Sequence, residues 1–128
     1  MGLDNGITIK NLPVEDYIYF RDIDVYEEDN EVEICYWRKC WNVRDAILKI
    51  LKTEVDNKYI IKPEDIPAII RKLEDFLIPS NWEKGDSIWL YDEIVNNLIN
   101  DIVNLNMLLL YMKLHPESEI EIYFYDSY

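Results

Sequence analysis

The sequence predicts an α+β domain in which a small antiparallel or mixed sheet, made of an N-terminal hairpin and a C-terminal strand, packs against three helices. Three observations carry this expectation. Apolar residues alternate with polar ones near both ends of the chain, helical periodicity fills the middle, and the links between these segments are short. A chain of 128 residues, 49% of them hydrophobic, can bury one core and is short for two. One domain over residues 1–128 is therefore expected.

Gly2-Leu3-Asp4-Asn5-Gly6 is turn chemistry, since Asn-Gly readily takes positive φ. Residues 7–9 follow as a short strand. Ile18 and Phe20 alternate with Tyr17 and Tyr19, after which the apolar parity switches to Ile23 and Val25. The slip predicts a bulge, or a break between two strands, near Arg21-Asp22. Residues 27–30 make a polar turn, and Val32, Ile34 and Tyr36 resume alternation, which completes a β-hairpin.

Asn42 reads as a helix N-cap with Asp45 three positions on. Val43, Ala46, Ile47, Ile50, Leu51 and Val55 follow at helical spacing. Residues 59–61 form an extended link. A second helix begins near Pro63, tolerates Pro67 only in its first turn, and buries Ile66, Ile69, Ile70, Leu73, Phe76 and Leu77 before Pro79 stops it. Ser87 can cap a long third helix that runs to about Leu114. Its predicted core face is Ile88, Tyr91, Val95, Leu98, Ile102, Leu105, Leu109 and Met112, widened by Leu108 and Leu110. Asp92, Glu93, Asn96, Asn97, Asn100, Asp101 and Asn104 fall on the opposite side. Last, Ile120, Ile122 and Phe124 alternate with Glu119, Glu121, Tyr123 and Tyr125, the clearest strand in the chain.

Charge is the strongest compositional signal. The net charge is −13, from 26 acidic and 13 basic residues, which repels nucleic acid and anionic membrane alike. Residues 1–33 carry −8, residues 34–73 carry +4 and residues 74–128 carry −9. Two acidic ends thus flank a basic middle. Either they neutralise one another in the fold, or the acids form a face for a basic partner. No stretch approaches the roughly 20 apolar residues of a membrane-spanning helix, and the N-terminus lacks the basic start, apolar run and cleavage site of a secretory signal. A cytoplasmic protein with reduced cysteines is the expectation.

The stretch EICYWRKCWNVR, residues 33–44, concentrates both cysteines, two tryptophans and three bases. A closed zinc site needs four thiolate or imidazole ligands, and the C-x4-C spacing with one distant His115 does not supply them. The stretch reads mainly as a strand–turn–helix corner whose Trp37 and Trp41 cover the core edge. A recognition surface of Trp37, Arg38, Lys39 and Trp41 is the sharper alternative. DIDVYEEDNEVE resembles a calcium loop at Asp22, Asp24 and Glu33, but Glu27 stands where the sharp turn requires Gly. Serines lack a nucleophile-elbow context and there is no phosphate-cradling glycine loop. No catalytic residue, cofactor or metal is therefore expected.

The opening MGLDNGI, followed by CYWRKCWNVR leading into a helix, resembles small proteins encoded by phages and prophages of low-GC Gram-positive bacteria. The resemblance covers those two blocks and brings no catalytic residue with it. It implies a context: small acidic phage proteins often act in host takeover or against host defence, some by mimicking the charge of nucleic acid. The expectation is a non-enzymatic inhibitor, anti-CRISPR-like in kind, that occupies a basic surface of a nucleic-acid-handling protein in the host cytoplasm. The candidate partner-binding residues are Asp22, Asp24, Glu27, Glu28, Asp29 and Glu31 on the hairpin, with Glu119, Glu121, Tyr123 and Tyr125 around the last strand. The alternative is a nucleotide-like ligand, or an enzymatic function, with a pocket at the Trp37–Trp41 corner.

Overall fold

A computed structural model describes residues 4–38, 40–51, 58–82 and 91–127. Among them five strands form one sheet: β1 Asp4–Lys10, β2 Asp24–Tyr26, β3 Glu31–Arg38, β4 Lys58–Ile60 and β5 Glu121–Ser127. The order is β2-β3-β1-β5-β4, and every neighbouring pair is antiparallel. Helices α1 Trp41–Leu51, α2 Ile66–Asp75 and α3 Tyr91–Leu114 cover one side. The α+β architecture is as predicted, and the sheet is antiparallel rather than mixed.

The period-two pattern decides which side is covered. Ile7 and Ile9 of β1, Val32 of β3, and Ile122 and Phe124 of β5 are buried, and register puts Ile9 beside Val32 and Ile122. Ile47 of α1, Ile66, Ile69 and Leu73 of α2, and Leu98, Leu105 and Leu108 of α3 close over them in one core. An ion pair fixes α1 to the sheet: Arg44 Nε donates to both carboxylate oxygens of Asp126 at 3.1 and 3.0 Å.

Several sequence expectations change. Asp4, Asn5 and Gly6 belong to β1, not to a turn. Gly6 is needed for proximity: a Cβ there would sit 2.4 Å from the Cys35 carbonyl oxygen and 2.8 Å from the Tyr125 ring. Residues 17–20 are not a strand. Val14–Tyr19 is a 3₁₀ helix after Pro13, and the Asp16 N–H bonds back to the Pro13 carbonyl at 2.9 Å. The chain then reverses with Asp22 at φ 50°, so the parity slip records this reversal.

A bulge opposite Ile7/Thr8 places Ile34 and Cys35 both inside. It reverses the predicted parity beyond that point: Trp37 is buried and Tyr36 exposed. Residues 58–60 are an edge strand paired with β5, not a mere link. Helix α1 begins at Trp41, so Asn42 lies in its first turn instead of capping it. The predicted Val55, Ser87 and Ile88 roles lie outside the described residues.

Helix α3 is rotated from its predicted facing. Its buried residues include Ile94, Leu98, Leu105, Leu108 and Tyr111, together with Asp101 and Asn104, two residues expected to face outward. Leu110 is exposed. Asn104 explains its own burial. Its Nδ2 donates to the Arg21 and Ile34 carbonyls at 2.9 and 2.8 Å, and its Oδ1 accepts the Arg21 N–H at 2.9 Å. One side chain thereby ties α3 to the reversal before β2 and to the bulge in β3.

Candidate functional site

The other side of the sheet carries no helix among the described residues. Register sets its side chains in rows. Tyr26, Glu31, Lys10 and Glu121 lie side by side, as do Asp24, Glu33, Thr8, Tyr123 and Ile60. Tyr36, Gly6, Tyr125 and Lys58 form the next row. The hairpin and the last strand are not hydrogen-bonded neighbours, because β1 lies between them. The acidic groups nevertheless share one surface, because β1 contributes only the small Gly6 and Thr8 at its middle.

Over that low strip the Tyr125 hydroxyl reaches across and donates to Glu33 Oε2 at 2.5 Å. Burial, then repulsion by Asp24 and Asp4, raises the Glu33 pKa, while the Tyr125 hydrogen bond opposes the rise. Burial and Glu33 push the Tyr125 phenol far above its ordinary range. Lys58 reaches back from the edge strand to pair with Glu31, and its ammonium lies 4.8 Å from the centre of the Tyr123 ring. Tyr123 donates to Glu121. A cavity of about 330 Å³ opens here, lined by Thr8, Tyr26, Asp29, Glu31, Glu33, Lys58 and Tyr125.

A second cavity, of about 180 Å³, lies where β2 begins and α3 passes the edge of β3. Asp22, Asp24 and Glu33 bring carboxylates to it, and Asn97, Asn100 and Asp101 line it from α3. Asp101 is only 4% exposed, and its Oδ2 has no hydrogen-bond partner. Burial drives its pKa up to about 8, with Glu33 adding to the rise. The Trp37 indole and Cys35 thiol pull in the opposite direction. Cys35 itself is a buried thiol whose pKa burial raises strongly, and it donates to the Asp101 backbone carbonyl at 3.9 Å.

The predicted partner-binding residues divide cleanly. Asp22, Asp24, Glu27, Glu28, Asp29, Glu119 and Glu121 are exposed, and Glu31, Tyr123 and Tyr125 are half-buried. Glu31, Glu121, Tyr123 and Tyr125 stand on the helix-free side itself. Asp24 joins them, Asp29 borders the larger cavity, and Asp22 borders the smaller. Glu27 and Glu28 occupy the hairpin turn, and Glu119 precedes β5.

The alternative corner comes apart. Trp37 is 2% exposed and offers nothing to a partner, whereas Trp41 and Arg38 are exposed. Lys39 lies outside the described residues. Arg44 stacks over Trp41 at 5.2 Å while its charge is spent on Asp126 and on Asp45.

Sequence reasoning missed Thr8, Glu33, Lys58 and Asp101. The approach of Thr8 to Glu33 depends on strand order, and Asp101 was hidden by a polar run that mimics a solvent face. No group of three or more His, Cys, Asp or Glu side chains among the described residues is arranged to hold a metal. No described helix is long and apolar enough to cross a membrane. No family model, curated protein or solved structure matches the chain.

Proposed function

We propose that this is a non-catalytic binding protein whose helix-free sheet surface occupies a basic patch on another protein. The partner class that best suits it is a host enzyme that handles nucleic acid, with the phage context as the setting. One observation carries the reading. Across β2, β3, β1 and β5 the rows on this side combine Asp24, Glu31 and Glu121 at the surface with Tyr26, Tyr123 and Tyr125, while Glu33 is buried beneath Tyr125. Tyrosine offers large contact area at low entropic cost, and the acids favour a cationic partner over nucleic acid or an anionic membrane.

The bases on the same surface do not cancel this. Lys58 is committed to Glu31, and Lys10 stands between Glu31 and Glu121 in register. Arg44 is buried against Asp126, which leaves the basic middle of the chain weaker at the surface than its composition suggests.

The test compares capture from a bacterial host lysate by the wild-type chain and by a variant carrying Glu27→Lys, Glu28→Lys and Asp29→Lys at the exposed turn. A basic protein retained by the first and lost by the second, with melting unchanged within a few degrees, supports the reading. Equal retention by both sinks it.

A further inference from the structure

The notch between the start of β2, the edge of β3 and α3 shares Asp24, Glu33 and Tyr36 with the helix-free side, but its inner wall is the buried Asp101 of α3. Burying a carboxyl is destabilising unless it is well hydrogen-bonded. Asp101 Oδ2 makes no hydrogen bond of good geometry, with only the Trp37 indole and the Cys35 thiol close enough to favour its charge. Asparagine would fill the same space more cheaply. Asp101 is also one of the residues that line a cavity of about 180 Å³.

The chemistry of the walls limits the occupant. Asp22 and Asp24 stand at the mouth, exposed, and Asn97 offers an amide from α3. Tyr36 supplies an aromatic wall, held in place by its hydroxyl donating to Asp4 Oδ1 at 2.7 Å. Anions are excluded by the surrounding carboxyls, and the described residues offer no metal-binding arrangement. A planar cation rich in N–H donors fits: it can give several hydrogen bonds to carboxylates while its face rests on an aromatic ring. We propose that this notch is a receptor for a guanidinium group, the side chain of an arginine presented by the partner protein, with Asp101 as the buried acceptor and Asp22 and Asp24 as the outer ones. The inference rests on the proposed partner reading for its biological occupant, but the site is testable without any partner.

The groups acting on Asp101 are Glu33 and Cys35 from β3 and the Trp37 indole, none of them cationic, with Asp22 and Asp24 across the cavity. A guanidinium would be the missing positive charge. Since the empty site holds Asp101 protonated up to about pH 8, binding must release a proton below that pH. Affinity should then rise with pH up to about 8 and level off above it.

N-acetyl-arginine amide is the probe, titrated into the full chain and followed by NMR, with N-acetyl-citrulline amide and N-acetyl-lysine amide as controls. One side chain should bind with a Kd on the order of 1 mM, shifting the Asn97 side-chain and Asp101 backbone signals. Affinity should fall about tenfold per pH unit from pH 8 toward pH 6, as expected when one proton must leave. Asp101→Asn should lose at least tenfold at pH 8 and lose the pH dependence with it. Asp24→Asn, at an exposed position that does not threaten folding, should weaken binding by about threefold at constant melting temperature. Citrulline binding as well as arginine, lysine binding as tightly, or full affinity in Asp101→Asn would each overturn the assignment. Failure here leaves the partner reading to the lysate comparison, and arginine binding stands even if no host partner is captured.

Discussion

Gly6 shows what one missing side chain does. It lets the Cys35 carbonyl and the Tyr125 ring close over β1, and thereby lets Tyr125 reach Glu33. Gly6→Ala forces backbone or ring to move, and overpacking of this kind costs about 1–3 kcal/mol. Urea denaturation measures it; a loss below about 0.5 kcal/mol would mean that the sheet yields easily there. Asp101 makes the opposite kind of contribution. Its pKa rises from 3.8 unfolded to about 8 folded, so the folded chain holds the proton more tightly. That stability is fully present below pH 3.8 and is lost as pH climbs through about 8. Asp101→Asn should therefore gain melting temperature over wild type as pH rises from 4 toward 8. A difference that stays constant over this range would place the ionisation elsewhere.

At the scale of elements, β3 and α3 depend on Asn104. Asn104→Ala strands the Ile34 carbonyl and the Arg21 N–H and leaves the Arg21 carbonyl only its longer bond from Asn100 Nδ2, at a cost of about 1–3 kcal/mol. Hydrogen exchange should show the Arg21 amide losing protection before the β1–β5 ladder does; equal loss everywhere would make the clamp a global rather than a local device. The Arg44–Asp126 pair is comparable for α1. Arg44→Ala leaves a buried carboxylate without its cation, which costs about 3–5 kcal/mol. Replacing both partners with apolar residues should cost less, as a double-mutant cycle would report. These elements also mark how far the sequence could be read. Helix α2 and β5 were legible because apolar spacing alone decides them, whereas the hairpin was legible only around its turn, since the 3₁₀ segment and the bulge break the alternation on either side. The facing of α3 was not, because Asp101 and Asn104 are buried for hydrogen-bonding and cavity reasons that periodicity cannot register. The 3₁₀ segment at residues 14–19 carried a strand's alternation by chance, and β4 is too short to announce itself without β5 beside it.

For the whole molecule, the order β2-β3-β1-β5-β4 turns an uneven charge distribution along the chain into a surface. The acidic ends come together on the helix-free side because β1 and β5 pair along their full length, and a basic middle loses Arg44 to the interior. The candidate acids were legible from composition, but their shared surface was not, since it follows from strand order. A surface of this kind steers a basic partner during approach more than it holds it afterwards. At 0.1 M salt the screening length is about 10 Å, and at 1 M about 3 Å. Association with a captured basic partner should thus slow at least about tenfold between low and high salt, while the dissociation rate changes little. Glu27→Lys, Glu28→Lys and Asp29→Lys together should reduce the low-salt rate and flatten its salt dependence, with the fold intact. Stopped-flow or surface-immobilised kinetics at several salt concentrations separates the two rates. If salt acts on dissociation alone, the tyrosines rather than the acids govern recognition, and Tyr123→Ala or Tyr125→Ala should then cost more affinity than any charge reversal at the turn.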